Sequence, residues 1–153
     1  MLMTKPYRVV VADDSIPFRN TLKRFLEEEA DFDVIGEAGD GLELINLLNR
    51  LVLNKQAPHL IILDISMPHL SGIEATSWSK LNYPDIKVLI LTMHRDKGFL
   101  CQALSHGANG YLLKDDVGRD LFSAIDLIRQ GETYISPLLF PLAVSSQTDR
   151  DRA

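Results

Sequence analysis

Cysteine occurs once in the 153-residue sequence, at Cys101. No intramolecular disulfide can therefore form, and a lone thiol suits a reducing compartment. No apolar run approaches the roughly 18 residues needed to span a membrane as a helix. The opening MLMTKPYR also lacks the apolar stretch and cleavage site of a secretory signal. The expectation is a cytoplasmic protein with no membrane association. Positive charge is in deficit, with 16 Lys and Arg against 21 Asp and Glu and a net charge of −5. No broad basic field is left to attract a nucleic-acid backbone. His59, His69, His94 and His106 show no zinc-ligand spacing, and Cys101 has no second thiol, which sets a zinc site aside. Glycine is missing from the first strand-to-helix turn, VADDSIP, which places carboxylates where a pyrophosphate would sit. That turn excludes a dinucleotide-binding module.

The composition is that of a folded domain: 46% hydrophobic and 24% charged, over a length that suits one domain with a substantial core. Five short aliphatic segments recur along the chain: YRVVVA (7–12), DVIGEA (33–38), LIIL (60–63), KVLILT (87–92) and GYLL (110–113). Most are continuously apolar, as parallel strands covered on both faces tend to be. Helical stripes lie between and after them. Phe18, Leu22, Phe25 and Leu26 form the first, with Ser15 as N-cap and Pro17 in the first turn. Leu44, Ile45, Leu48 and Leu51 form the second, and Ile73, Ala75 and Trp78 a third after Gly72. Phe99, Leu100, Ala103 and Leu104 form a fourth that stops near Gly107, and Leu121, Ala124, Ile125 and Ile128 a fifth that ends at Gly131. The apolar members of these stripes are core residues and are assigned no chemistry. Five strand–helix repeats predict an α/β domain with a parallel sheet and helices on both faces. We place the folded unit at 7–131, with a lead at 1–6 and a tail or the start of an interdomain linker at 132–153.

Ligands bind beyond the carboxyl ends of the strands in such a sheet. Asp13 and Asp14 follow the first strand, Asp64 the third and Lys114 the fifth, while Thr92 ends the fourth. Taken singly, each has an ordinary role as a helix-terminus charge, turn residue or cap. Together they raise a conflict, because three converging acids repel one another. A hard divalent cation resolves it, and Mg²⁺ suits carboxylate, water and phosphate oxygens. With a cation present, Asp64 can act as a nucleophile that forms an aspartyl phosphate. Lys114 would then neutralise the phosphoryl oxygens, and the Thr92 hydroxyl would donate to one of them.

The segments VVADDS, LIILDISMPHLSGIEA, VLILTM and GYLLKDD, in this order over roughly residues 7–130, resemble the receiver domain of two-component response regulators. The resemblance implies a flavodoxin-like (βα)5 receiver fold with strand order 2-1-3-4-5. It implies Asp64 as phosphoacceptor and Asp14 as a direct Mg²⁺ ligand, with Asp13 assisting and Ser66 contributing its backbone carbonyl. Lys114 and Thr92 would contact the phosphoryl group, and Thr92 and Tyr111 would form the switch. Ser66 and His94, two residues past Asp64 and Thr92, would tune the phosphoryl lifetime or else be plain exposed loop residues. Pro68 and Gly72 would shape the loop after Asp64. LTMHRDKGFLCQALSHGANGYLLKDD and LFSAIDLIRQGETYISP resemble the NarL/FixJ (LuxR-type) branch, in which a helix-turn-helix domain follows. Nothing after Ser136 is long enough for that domain, so contact with DNA is expected only through a part absent from this chain.

The same resemblance implies a histidine kinase as phosphodonor and a role in transcriptional control. It also implies a phosphoacceptor that assists its own phosphotransfer and autodephosphorylation rather than an enzyme with an external substrate. A homodimer would use either the first and fifth helices or the face of the fourth helix, fifth strand and fifth helix. A phosphatase acting through an aspartyl phosphate would carry an acid where Ser66 stands. A stand-alone or never-phosphorylated receiver-like protein-interaction module is the alternative.

Overall fold

Eleven regular elements alternate along the chain in the computed structural model, which describes residues 5–139 and Pro141. In order they are β1 (Tyr7–Ala12), α1 (Ile16–Glu27), β2 (Phe32–Ala38), α2 (Gly41–Leu53), β3 (Leu60–Leu63) and α3 (Gly72–Asn82). The rest are β4 (Lys87–Thr92), α4 (Lys97–Ser105), β5 (Gly110–Leu113), α5 (Val117–Arg129) and β6 (Tyr134–Ile135). A 3-10 turn at Lys114–Asp116 joins β5 to α5, and a second one, Pro137–Leu139, follows β6. The strands form one parallel sheet in the order β2-β1-β3-β4-β5-β6.

Successive side chains on a strand face opposite sides, so each continuously apolar strand feeds two cores. Val10, Ala12, Ile61, Leu63, Val88, Ile90, Tyr111 and Leu113 share one core with residues of α2, α3 and α4. Val9, Val11, Leu60, Ile62, Leu89, Leu91 and Leu112 share the other with Leu22 and Leu26 of α1 and Leu121, Ala124, Ile125 and Ile128 of α5. The chain goes from β1 outward to β2 and then returns to β3 on the other side of β1. This reversal is a topological switch point, where open α/β sheets bind ligands beyond the carboxyl ends of the strands, here β1 and β3.

Side-chain caps fix where the helices begin. Ser15 Oγ accepts from Phe18 N at 3.3 Å, Asp40 Oδ1 from Glu43 N at 2.8 Å, and Asp96 Oδ2 from Phe99 N at 3.3 Å. Ser71 and Glu74 complete a reciprocal capping box on α3. Gly107 and Gly131 follow α4 and α5 at φ of 100° and 88°, the left-handed conformation that lets a helix end and the chain turn.

The sheet has one strand more than the five expected. Tyr134 and Ile135 pair in parallel with Gly110 and Tyr111, and Tyr134, Ser136 and Leu139 are buried. The packed unit therefore runs past residue 131 to at least Leu139. A two-residue strand is too short to show any periodicity, which is why the sequence pattern concealed it. Residues 1–4 of the expected lead, and the expected tail beyond Leu139 apart from Pro141, lie outside the described residues.

Candidate functional site

The carboxyl ends of β1, β3 and β5 bring four predicted residues together. Asp13 and Asp64 are buried, with 2% and 7% exposure, and Asp14 is exposed. One ligand oxygen from each of the three lies within 4.8 Å of the others. Lys114 Nζ reaches Asp13 Oδ2 at 2.7 Å and Asp64 Oδ2 at 3.1 Å. Backbone hydrogen bonds hold two of these acids: Asp13 N donates to Ala38 O at 3.0 Å, and Asp64 N to Ala12 O at 3.1 Å. Arg19 Nη1 donates to Asp13 O at 2.7 Å, and Ser15 N to Asp13 Oδ1 at 2.8 Å.

Three carboxylates face one ammonium, so the cluster retains an excess of negative charge. Hard oxygen donors from an open rim suit a divalent cation of the Mg²⁺ type, which keeps several waters and binds few protein oxygens. Burial works against the charge on Lys114. The hydrogen bond to Asp13, followed by the charge and hydrogen bond of Asp64, outweighs it and raises the ammonium pKa above its ordinary value. The same ammonium sits 4.3 Å from the centre of the Phe18 ring, a cation–π contact. Phe18 belongs to the apolar stripe of α1, so its pattern signalled core and gave no hint of this second contact.

Gly72 keeps the loop after Asp64 close to the strand. Its amide donates to Ile65 O at 2.9 Å, and a Cβ there would lie 2.0 Å from Asp64 O. A second fastening joins His69 Nδ1 to Asp40 Oδ2 at 3.0 Å across the rim. This pair was not legible, because the partners lie 29 residues apart and on different loops.

The other predicted residues form an adjoining network centred on His94. Its backbone N donates to Thr92 Oγ1 at 3.3 Å, and its carbonyl accepts from Tyr111 OH at 2.8 Å. Its Nε2 lies 2.7 Å from Ser66 Oγ, and its ring packs 4.4 Å from that of Phe99. Ser66 and His94 are thus a bonded pair rather than two separate loop residues. Thr92 is fully buried, and Tyr111 is fully buried with its ring turned inward. Burial, with the nearby charges of Asp96 and Asp64, pushes the Tyr111 phenol well above its ordinary pKa, so it remains a hydrogen-bond donor. Arg95 and Asp115 join the loops after β4 and β5 at 2.7 Å across the outside of the site.

Comparison with known proteins gives this arrangement a family. The family profile described as "Response regulator receiver domain" matches residues 9–126. The transcriptional regulatory protein DegU of Brevibacillus brevis is 38% identical over 130 residues, which cover 85% of this chain and 53% of that protein. The chain therefore spans about half the length of this curated relative. Among solved structures, a LuxR-family two-component response regulator from an Aurantimonas species superposes with a TM-score of 0.84 at 27% identity, over 94% of this chain and 99% of that one. The signal receiver domain of the putative response regulator NarL from Mycobacterium tuberculosis gives 0.75 at 30% identity, over 84% of this chain and 100% of that one. The chain belongs to the response regulator receiver domain family, in its NarL/LuxR-type branch.

Proposed function

We propose that Asp64 is the phosphoacceptor of this receiver and that Asp13, Asp14, Asp64 and the Ser66 backbone carbonyl hold Mg²⁺. The observation that carries this reading is a buried acid at the end of β3, held by a lysine and flanked by two further carboxylates. A bound Mg²⁺ supplies charge neutralisation for the phosphoryl oxygens. An Asp64 carboxylate oxygen attacks phosphorus, an O–P bond forms, and the bond to the donor's leaving group breaks with its electron pair. Lys114, already 3.1 Å from Asp64 Oδ2, offsets charge on the transferring group. Thr92 Oγ1 accepts from His94 N, which leaves its own proton for a phosphoryl oxygen.

Thr92 and Tyr111 then act as the switch. Both connect to His94, so withdrawal of the Thr92 hydroxyl toward a phosphoryl group disturbs the loop that anchors the Tyr111 phenol. The Ser66–His94 pair lies beside Asp64 and controls access of water, which sets the lifetime of the phosphoryl group and hence autodephosphorylation. The phosphodonor is a histidine kinase, and the output is transcriptional, through a DNA-binding domain of the kind that LuxR-type regulators carry. The protein works in the cytoplasm, as its lone cysteine suits. A homodimer would form through α1 and α5 or through α4, β5 and α5.

Intact mass after incubation with Mg²⁺ and a small-molecule phosphodonor tests the reading. One added phosphoryl group in the wild type and none in Asp64→Asn is expected. Labelling of Asp64→Asn at the wild-type level, or none in a folded wild type that is also offered its kinase, overturns it.

A further inference from the structure

Segment 134–139 is hydrogen-bonded to β5 beside Tyr111 and Lys114. Ser136 N donates to Tyr111 O at 2.9 Å, and Ser136 Oγ accepts from Leu113 N at 3.0 Å. Tyr111 is the inward-turned aromatic, and Leu113 immediately precedes Lys114. Ser136 is completely buried although it is polar, and both bonds satisfy groups at the edge of β5. The side-chain bond takes over where the two-residue ladder of β6 stops, since the register ends at Tyr111↔Ile135. Below it, Tyr134 N donates to Asn109 O at 3.0 Å. Beyond it, Leu139 N donates to Ser136 O at 2.8 Å, and the Leu139 side chain enters the same core as Tyr111, Leu100 and Ala103. A displacement of the β5 end would reach segment 134–139 through these bonds, and a pull on that segment would reach Tyr111 and Lys114.

We propose that Ser136 is a positioning residue that clamps the exit segment to the switch strand and so couples the state of Asp64 to the chain beyond the receiver. The proposal rests on the phosphoacceptor reading above. Its physical requirement is only that the end of β5 differs between the two states, because a rigid two-point bond then transmits the difference without a change in packing elsewhere. Removing the hydroxyl leaves the Leu113 amide unpaired in a buried place, so that end of the strand loosens while Asp64, across the sheet, keeps its own backbone bonds.

Backbone amide hydrogen exchange on the full chain, with Mg²⁺ and with or without beryllofluoride, tests the coupling; intact mass after phosphodonor treatment runs alongside. In the wild type, the Leu113, Ser136 and Leu139 amides are expected to change exchange rate by roughly tenfold when beryllofluoride binds. In Ser136→Ala, the Leu113 amide should exchange roughly tenfold faster in both states. The beryllofluoride response at Leu139 should disappear there while Asp64 still accepts phosphoryl. A merely structural serine would leave that response intact in Ser136→Ala, and this result overturns the proposal. Should Ser136→Ala not fold, the wild-type pair of measurements still tests the coupling. Unchanged Ser136 and Leu139 amides in a chain that is phosphorylated overturn the coupling alone. A wild type that accepts no phosphoryl from the small donor or from its kinase overturns the phosphoacceptor reading, and the coupling falls with it.

Discussion

Lys114 places one ammonium against two buried carboxylates, and the sign of its pKa shift shows which force wins. Burial alone would depress the pKa, yet Asp13 and Asp64 together raise it. A folded pKa above the unfolded one contributes stability that is fully present below the ordinary lysine value of 10.5 and is lost as pH rises through the folded value. The wild type should therefore show no loss from this group between neutral pH and that value, and a decline above it. Denaturant midpoints followed against pH should show a flatter alkaline limb in Lys114→Gln; an unchanged limb would assign the decline to other groups. The same substitution removes a positive charge that competes with a metal ion for the acids. Mg²⁺ should bind Lys114→Gln roughly tenfold more tightly by calorimetry, while phosphoryl uptake falls. Weaker Mg²⁺ binding would mean that Lys114 organises the acids rather than competing for them. Tyr111→Phe gives a milder case. It removes only the bond to His94 O and should cost about 1 kcal/mol in denaturant unfolding.

Two glycines near helix starts separate constraint from convenience at the level of elements. Gly72 opens α3, and an added Cβ would lie 2.0 Å from the Asp64 carbonyl oxygen, which no rotamer change can relieve. Gly118, in the first turn of α5, has nothing within 4 Å of an added Cβ. Gly72→Ala should destabilise by about 1–3 kcal/mol and reduce phosphoryl uptake, because the backbone that carries Asp64 must move. Gly118→Ala should instead stabilise by about 0.5–1 kcal/mol through helix propensity, with uptake unchanged. Thermal unfolding and mass labelling of the two variants check the contrast, and equal effects would sink it. Element starts of this kind were legible in the sequence because caps are local: Ser15, with Pro17 behind it, announces α1 within four residues. The strand β6 was not legible, since its place is set by partners more than 20 residues upstream, in Asn109 and Tyr111.

Across the whole molecule, the parallel sheet and its two-sided cores follow from continuously apolar strands alternating with helical stripes, whereas the strand order was implied only by the family resemblance. The acids and Lys114 were also readable, because strand ends in such a sheet converge by topology. What escaped were side-chain contacts made by the loops around the site, Ser66 with His94, His69 with Asp40 and Lys114 with Phe18 of α1, which depend on side-chain geometry rather than on register. Those loops also surround the carboxylate cluster, so occupation of the cluster should be felt in global stability. A ligand that binds only the folded chain stabilises it by about 2.7 kcal/mol at a hundred times its Kd. For a chain of this size, each kcal/mol moves the midpoint by about 2–4 °C, so Mg²⁺ should raise Tm by several degrees over an equal ionic strength of NaCl. Asp14 is the appropriate residue for the control: it is exposed, whereas Asp13 and Asp64 are buried against Lys114 and contribute to the fold itself. Asp14→Asn should retain the wild-type Tm in NaCl to within a degree or so and lose most of the rise with Mg²⁺, because one carboxylate has left an oxygen-ligand set that holds few protein groups. An equal rise in both proteins would show that the cation acts elsewhere on the acidic surface. A fall in Asp14→Asn already in NaCl would show that the exposed acid supports the fold.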